Sequence, residues 1–512
     1  MTGLLAQTKA TKLNQLQIVV LILILGLGLA VRLWKIETPL GDWHSWRQAD
    51  TASVTHQYLV GESEFLVPRY HDLSNIPSGQ ENPEGYRMVE FPVVNYGLAQ
   101  ILKADPSLDL VVLSRLASVV FSLITTLALA ILVLQLGGSP RVALLTSGFF
   151  AFLPFNVFYS RVILPEPAMV MASVVALTCF VIWLRSYQAG GHRHLWWLGL
   201  TWFWLAMSFL LKPVAVFMAP AYFVLAWSAF GLLGMVKHWP LWLLATSVLP
   251  LLGWRQYIEQ YPAGIPANDW LFNGNGIRLK PAWWRWLFGD RLGHLILGYW
   301  GAALVVMGLI PEAARSKISR LSLLTLITWA LSLGWLSYLV VFATGNVQHD
   351  YYQIPLIIVV SLLLARGTSL LFDLLSNNLP KIFALIITAF IIVLSLFLSF
   401  DAIRGFYNVN NWAMVEAGQA ADRLTPADAK IIAPYMGDTA FLFQTRRQGW
   451  PIGGIIDHKI ELGATHYLTT TKDDEANHLQ ELYQTLEEAD DYLLLDLRQP
   501  LDATNSPRVG ES

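Results

Sequence analysis

The feature that most constrains this chain is a series of long apolar segments separated by short polar ones. A helix crossing about 30 Å of hydrocarbon needs about 20 mostly apolar residues. Eleven stretches approach that length: 18–34, 108–136, 142–158, 167–184, 195–211, 214–235, 241–257, 295–310, 321–342, 354–370 and 382–400. Only 14% of the residues are charged and 55% are hydrophobic; a soluble chain carries about a quarter charged residues. The 21 tryptophans suit interfacial aromatic belts. The reading is a polytopic, all-α membrane protein with about eleven transmembrane helices.

Lys9 and Lys12 precede the first apolar run, and Arg32-Leu33-Trp34-Lys35 follow it. A signal peptide would end in small residues there, so this segment reads as an uncleaved anchor. Orientation follows from lysine and arginine in short loops. With the N-terminus in the cytoplasm, alternate loops carry Arg141; Arg185 and Arg193; Lys237; Arg315, Lys317 and Arg320; and Arg366 and Lys381. The opposite loops hold mainly Arg161 and Lys212. An odd number of spans then leaves the C-terminal tail outside, and the plain loops point to a bacterial plasma membrane.

Two longer segments face outside on this reading. Residues 35–107 are rich in Trp, Tyr, His, Asp and Pro and suit helices lying along the interface. Residues 258–293 contain Trp283-Trp284-Arg285-Trp286 and read as a loop with an amphipathic piece. The tail 401–512 has an ordinary soluble composition. Within it, 429–434 and 492–497 read as buried strands and 477–488 as a helix, giving a small extramembrane α/β domain after a membrane domain over 1–400. A net charge of −2 gives no sign of nucleic-acid binding. The single cysteine, Cys179, lies in an apolar run and reads as buried filler.

The first outer loop opens with Asp42, His44, Arg47 and Asp50. If helical, Arg47 and Asp50 share a face, as a local ion pair or as part of a site. Glu90-Phe91-Pro92 follows, then Glu166 between Pro165 and Pro167 at an outer helix end. Glu166 could simply complement a helix dipole, and Lys212-Pro213 could be a snorkelling lysine. His349, Asp350 and Tyr352 occupy the outer loop before the tenth span. Together these groups come from five separate segments, and the topology places them on one membrane face. Ionisable groups near bilayer depth are costly and mark functional sites by default. Carboxylates beside cations suit a site that accepts an anionic headgroup and needs a base.

In order and sidedness these motifs resemble the GT-C membrane glycosyltransferases that use a polyprenyl-phosphate-linked sugar. The branch they look most like is glycosyltransferase family 39, with the protein O-mannosyltransferases and the lipid A aminoarabinose transferase as relatives. The elements that carry the resemblance are Asp50-Thr51-Ala52, Glu90-Phe91-Pro92, Glu166, Lys212-Pro213 and His349-Asp350-Tyr351-Tyr352, within residues 15–400. Many members have two adjacent acids where this chain has Asp50-Thr51. No DxD motif appears in the first outer loop, so a divalent metal is possible but not indicated, and no residue is assigned to one.

The resemblance implies an inverting transfer of one sugar to an acceptor hydroxyl on a protein, lipid or glycan. Asp50 would be the general base. Lys212 would face the lipid phosphate, with Arg47 and Arg161 as alternatives. Glu166 and Glu90 would bind sugar hydroxyls or orient the base, and His349, Asp350 and Tyr352 would line the pocket. Two other classes share many spans and buried charges: a transporter or lipid flippase, and an oligosaccharide polymerase or ligase. A transporter of repeated halves would show internal symmetry, and none is visible in the sequence.

Overall fold

The computed structural model describes residues 3–61, 64–190, 194–311 and 321–501. Arg193, Arg315, Lys317 and Arg320 therefore lie outside the described residues. The chain forms two compact units. One comprises Met1–Ile36, Arg115–Tyr257 and Asn268–Phe406; the other comprises Glu37–Ser114, Ile258–Ala267 and Tyr407–Ser512.

The first unit holds the apolar helices. Among the described residues eight are long and apolar enough to cross a membrane, or nine if one bent pair counts as a span. They match eight of the eleven apolar runs, and the protein is a multi-pass integral membrane protein. The other three runs are helical but interrupted. Run 142–158 is broken at Pro154, between helices Pro140–Phe152 and Pro154–Tyr159. Run 241–257 is split into Trp239–Ala245, Thr246–Val248 and Leu249–Ile258. Run 295–310 is the second arm of a pair, Pro281–Ile296 and Gly301–Leu309, bent by 113°.

Local chemistry explains the ends and the breaks. Helix Gln15–Leu33 starts with a capping box. Asn14 Oδ1 accepts from the Gln17 amide at 2.9 Å, and Gln17 Oε1 accepts from the Asn14 amide at 3.0 Å. Backbone freed by a proline in lipid must find partners nearby. At the Pro154 break, fully buried Arg32 donates to the carbonyls of Gly28 and Ala151, each at 2.8 Å, and to Ser160 Oγ at 2.6 Å. Asn156 donates to the Phe150 carbonyl at 2.5 Å. Two glycines let Gly301–Leu309 lie directly on Ile357–Ser376. A Cβ at Gly308 would meet the Leu363 carbonyl at 2.0 Å, and one at Gly367 the Leu304 carbonyl at 1.8 Å.

The second unit contains a five-stranded sheet: β1 Lys430–Ile432, β2 Gln448–Trp450, β3 His466–Thr469, β4 Tyr483–Glu488 and β5 Leu493–Pro500, in the order β2-β1-β3-β5-β4. β1 runs parallel to β2 and β3, while β5 is antiparallel to β3 and β4. The expected strands over 429–434 and 492–497 are therefore present. The helix expected over 477–488 stops at Leu482, and the rest becomes β4. Its exposed polar residues Gln484, Thr485 and Glu488 gain a ladder on β5 that local propensity does not reveal.

Residues 37–114 belong to this same unit. Leu73 donates to the Gly449 carbonyl at 2.8 Å, and the Gly449 amide donates to the His71 carbonyl at 2.9 Å. Residues 71–73 thus extend the sheet beyond β2. Two helices of the stretch, Ser45–Val60 and Val93–Ala104, pack on each other. Asn95 Nδ2 ties them together through the Thr51 carbonyl at 2.7 Å and Thr55 Oγ1 at 3.0 Å.

Candidate active site

The candidate residues form two clusters, one in each unit. In the sheet-bearing unit, helix Ser45–Val60 starts after His44, whose φ of 55° is left-handed. Gln48 closes this turn with a hydrogen bond to Asp42 Oδ1 at 2.8 Å, so Asp42 is committed to the local fold. Arg47 and Asp50 follow on the buried side. Arg47 is ion-paired to Glu90 and also donates to Thr51 Oγ1 at 3.2 Å. Asp50 is held from two directions. Arg87 Nη2 lies 2.9 Å from Oδ2, and Thr439 Oγ1 donates to Oδ1 at 2.8 Å. The structure therefore supplies long-range partners for both residues. A small cleft of about 20 Å³ is lined by Arg47, Asp50, Thr51, Arg87, Glu90 and Asn95 among others.

Two buried acids lie near Asp50. Burial pushes the Asp72 carboxyl up to about 7, with the Asp50 charge adding to the rise and hydrogen bonds from Ser74 opposing it. Burial likewise raises Asp438 to about 6. A pair of histidines lies in the same unit, with His71 Nε2 3.0 Å from His56 Nδ1. Burial lowers His56 to about 4 and holds His71 well below its ordinary value.

In the helical unit, Glu166 opens helix Glu166–Gln188 and Lys212 follows the end of helix His194–Leu211. The two helices run as a hairpin, so the residues meet at the end opposite its turn and form an ion pair. Glu166 is 1% exposed, and its Oε2 has no hydrogen-bond partner. Lys212 is thus not a lysine that merely snorkels to water. Its Nζ lies 5.1 Å from the Tyr352 ring centre and 5.8 Å from that of Tyr351. His349 stacks on both tyrosines and meets Trp270 edge-on. Buried Asp350 accepts from the Tyr159 hydroxyl at 2.5 Å. Arg161 is fully buried, and its Nη1 clasps the carbonyls of Trp34 and Lys35 at 2.7 and 2.8 Å. That geometry suits a brace between segments better than a phosphate ligand.

Sequence reasoning missed Arg87, Thr439 and Tyr159. Arg87 stands three residues before Glu90, and a cation beside an acidic element was the available signal. Nothing local marks Thr439. Among the described residues no three His, Cys, Asp or Glu side chains converge as a metal site.

A helical membrane unit with a buried acid paired to a lysine at a helix-hairpin end stands in one chain with an α/β unit that holds a second acidic cluster, and the chain shares its fold with solved membrane glycosyltransferases of the GT-C type. Residues 22–264, a little under half of the chain, match the family model of dolichyl-phosphate-mannose-protein mannosyltransferases. Solved structures share the fold at low identity. ArnT from Cupriavidus metallidurans bound to undecaprenyl phosphate is 11% identical with a TM-score of 0.60, over 93% of this chain and 97% of that one. The Archaeoglobus fulgidus oligosaccharyltransferase AglB, in complex with an inhibitory peptide and a dolichol-phosphate, is 12% identical with a TM-score of 0.57, over 92% and 72%. The arabinofuranosyltransferase AftD from Mycobacteria is 12% identical with a TM-score of 0.55, over 96% and 40%. A sequence comparison with curated proteins gives no match.

Proposed function

We propose that this chain is an inverting glycosyltransferase that takes one sugar from a polyprenyl phosphate and places it on an acceptor hydroxyl, working outside the cytoplasm of a bacterial plasma membrane. The acceptor oxygen attacks the anomeric carbon, and its proton passes to Asp50. The bond from that carbon to the phosphate oxygen breaks, and the electron pair leaves with the lipid phosphate. One displacement inverts the anomeric centre.

The observation that carries this reading is the state of Asp50. It is a buried carboxylate at a cleft, fixed through both oxygens, and each oxygen keeps lone-pair capacity for an incoming proton. A base held in this way meets the geometric demand of proton transfer. Lys212, beside the aromatic wall of Tyr351, Tyr352 and His349, takes the phosphate, because a cation offsets charge that grows on a leaving group. Glu90 and Arg47 contact sugar hydroxyls, Glu166 holds Lys212 in place, and Asp350 orients Tyr159. The acceptor is a protein, lipid or glycan hydroxyl.

The test uses the purified full chain in detergent, undecaprenyl phosphate carrying labelled mannose or aminoarabinose, and membranes of the natural host as acceptor. Transfer of label with inversion supports the reading. Label that moves only across sealed vesicles, with no bond formed, identifies a transporter and refutes it.

A further inference from the structure

The short helix Thr439–Gln444 lies in the C-terminal segment, yet both of its ends are fastened to residues 37–114. At its start, Thr439 Oγ1 is 2.8 Å from Asp50 Oδ1 and 3.0 Å from the Trp46 carbonyl. At its end, Gln444 Nε2 donates to the Leu40 carbonyl at 2.5 Å. The helix is pressed down from behind, since a Cβ at Gly418 would meet Gln444 Cβ at 2.2 Å. Before it, Met436 and Gly437 are both left-handed, with φ of 53° and 81°, and Asp438 Oδ1 accepts from the Ala440 amide at 2.7 Å. The position of Thr439 is therefore over-determined, and the residue is itself buried.

A threonine hydroxyl has one hydrogen to give. Between a carboxylate and a peptide carbonyl, the charged acceptor binds it more strongly. That hydrogen bond is strongest while Asp50 is ionised and weakens when Asp50 takes the acceptor's proton. We propose that Thr439 is a positioning residue for transfer. With Arg87 on the other oxygen, it sets the rotation of the Asp50 carboxylate and favours its ionised, proton-accepting form. The sheet-bearing C-terminal segment is then part of the catalytic apparatus. This inference rests on the reading of Asp50 as base. Among the described residues, the titratable and charged groups facing Asp50 are Arg87, Arg47, Glu90, Tyr70, Asp72 and Asp438, from the loops and helices around it.

The test compares Thr439→Val, Thr439→Ser and Asp50→Asn in the full chain in detergent, with the labelled undecaprenyl-phosphate donor and host membranes. Thr439→Val keeps the shape and removes the hydrogen. It should lower kcat about tenfold and move the acid-side half-activity point up by about one pH unit, a tenfold effect on one protonation equilibrium. KM for the donor should stay close to the native value, and Thr439→Ser should restore both kcat and the acid limb. If Asp50→Asn is inactive while Thr439→Val keeps native kcat and acid limb, the positioning role is refuted and the base reading survives. Equal losses in Thr439→Val and Thr439→Ser with an unmoved acid limb also refute it, by showing a purely structural role. Native turnover in Asp50→Asn removes the base, and Thr439's role with it.

Discussion

Arg87 and Asp50 form a buried ion pair at 2.9 Å, with side chains only 9% and 7% exposed. Two charges taken out of water this far are stable only together. Removing one partner of a buried pair costs about 3–5 kcal/mol. The same Arg87 guanidinium lies 5.0 Å from the Tyr70 ring centre, so it is packed as well as paired.

Arg87→Leu should therefore destabilise the protein by about 3–5 kcal/mol, because it leaves the Asp50 charge uncompensated. Arg87→Leu combined with Asp50→Asn should recover much of that loss. Thermal unfolding in detergent of the two singles and the double checks this, and additive losses would show that the pair is not coupled.

Lys212→Met should raise KM for the lipid-linked donor by about tenfold or more, the scale of one lost charge-assisted contact. Lys212→Arg should recover part of it. Glu166→Gln should weaken the donor interaction less than Lys212→Met does. Donor titrations of initial rate separate these cases, and an unchanged KM in Lys212→Met would remove the phosphate assignment.

Asp72 gives a stability slope with a definite sign. Its folded value of about 7 lies above the ordinary carboxylate value near 4, so between those limits the folded state binds the extra proton. Stability from this group is full below about pH 4 and is lost as pH rises through about 7, at a cost of several kcal/mol in order of magnitude. Asp72→Asn keeps an acceptor for the Ser74 amide, which donates to Asp72 Oδ1 at 2.8 Å. The variant should melt above the native protein at pH 8 and close to it at pH 4. Native-like melting at pH 8 would contradict the burial argument. His56, lowered to about 4, works in the opposite sense and loses stability as pH falls from about 6.5.

Orientation can be read with the lone cysteine removed. Cys179 is buried in helix Glu166–Gln188, so Cys179→Ala should leave activity near native. In that background Glu461→Cys, at a side chain 78% exposed, should react with a membrane-impermeant maleimide on intact cells. Labelling only after lysis would place the C-terminal segment in the cytoplasm.

Much of the membrane unit was legible because hydrocarbon imposes one demand, long apolar helices, and composition records it. The three interrupted runs show the limit. Pro154 stands in plain sight in the sequence, yet the partners that make a break tolerable, Arg32 and Asn156, become evident only when three helices are packed. In the two clusters, Asp50 and Glu90 of one unit and Glu166 and Lys212 of the other were visible because ionisable residues at apolar borders are conspicuous. Thr439 was not, since a neutral side chain 389 residues from Asp50 carries no local mark. β4 was misread as helix because its strand character comes from pairing with β5.

The most direct measurement is the single-turnover rate of sugar release from labelled undecaprenyl phosphate by native protein and by Asp50→Asn, with host membranes as acceptor and unfolding temperature as a control for folding. A loss of about 10²-fold or more, the scale of general-base catalysis, is expected in the folded variant. A native rate in Asp50→Asn would contradict the proposal that this buried carboxylate takes the acceptor's proton.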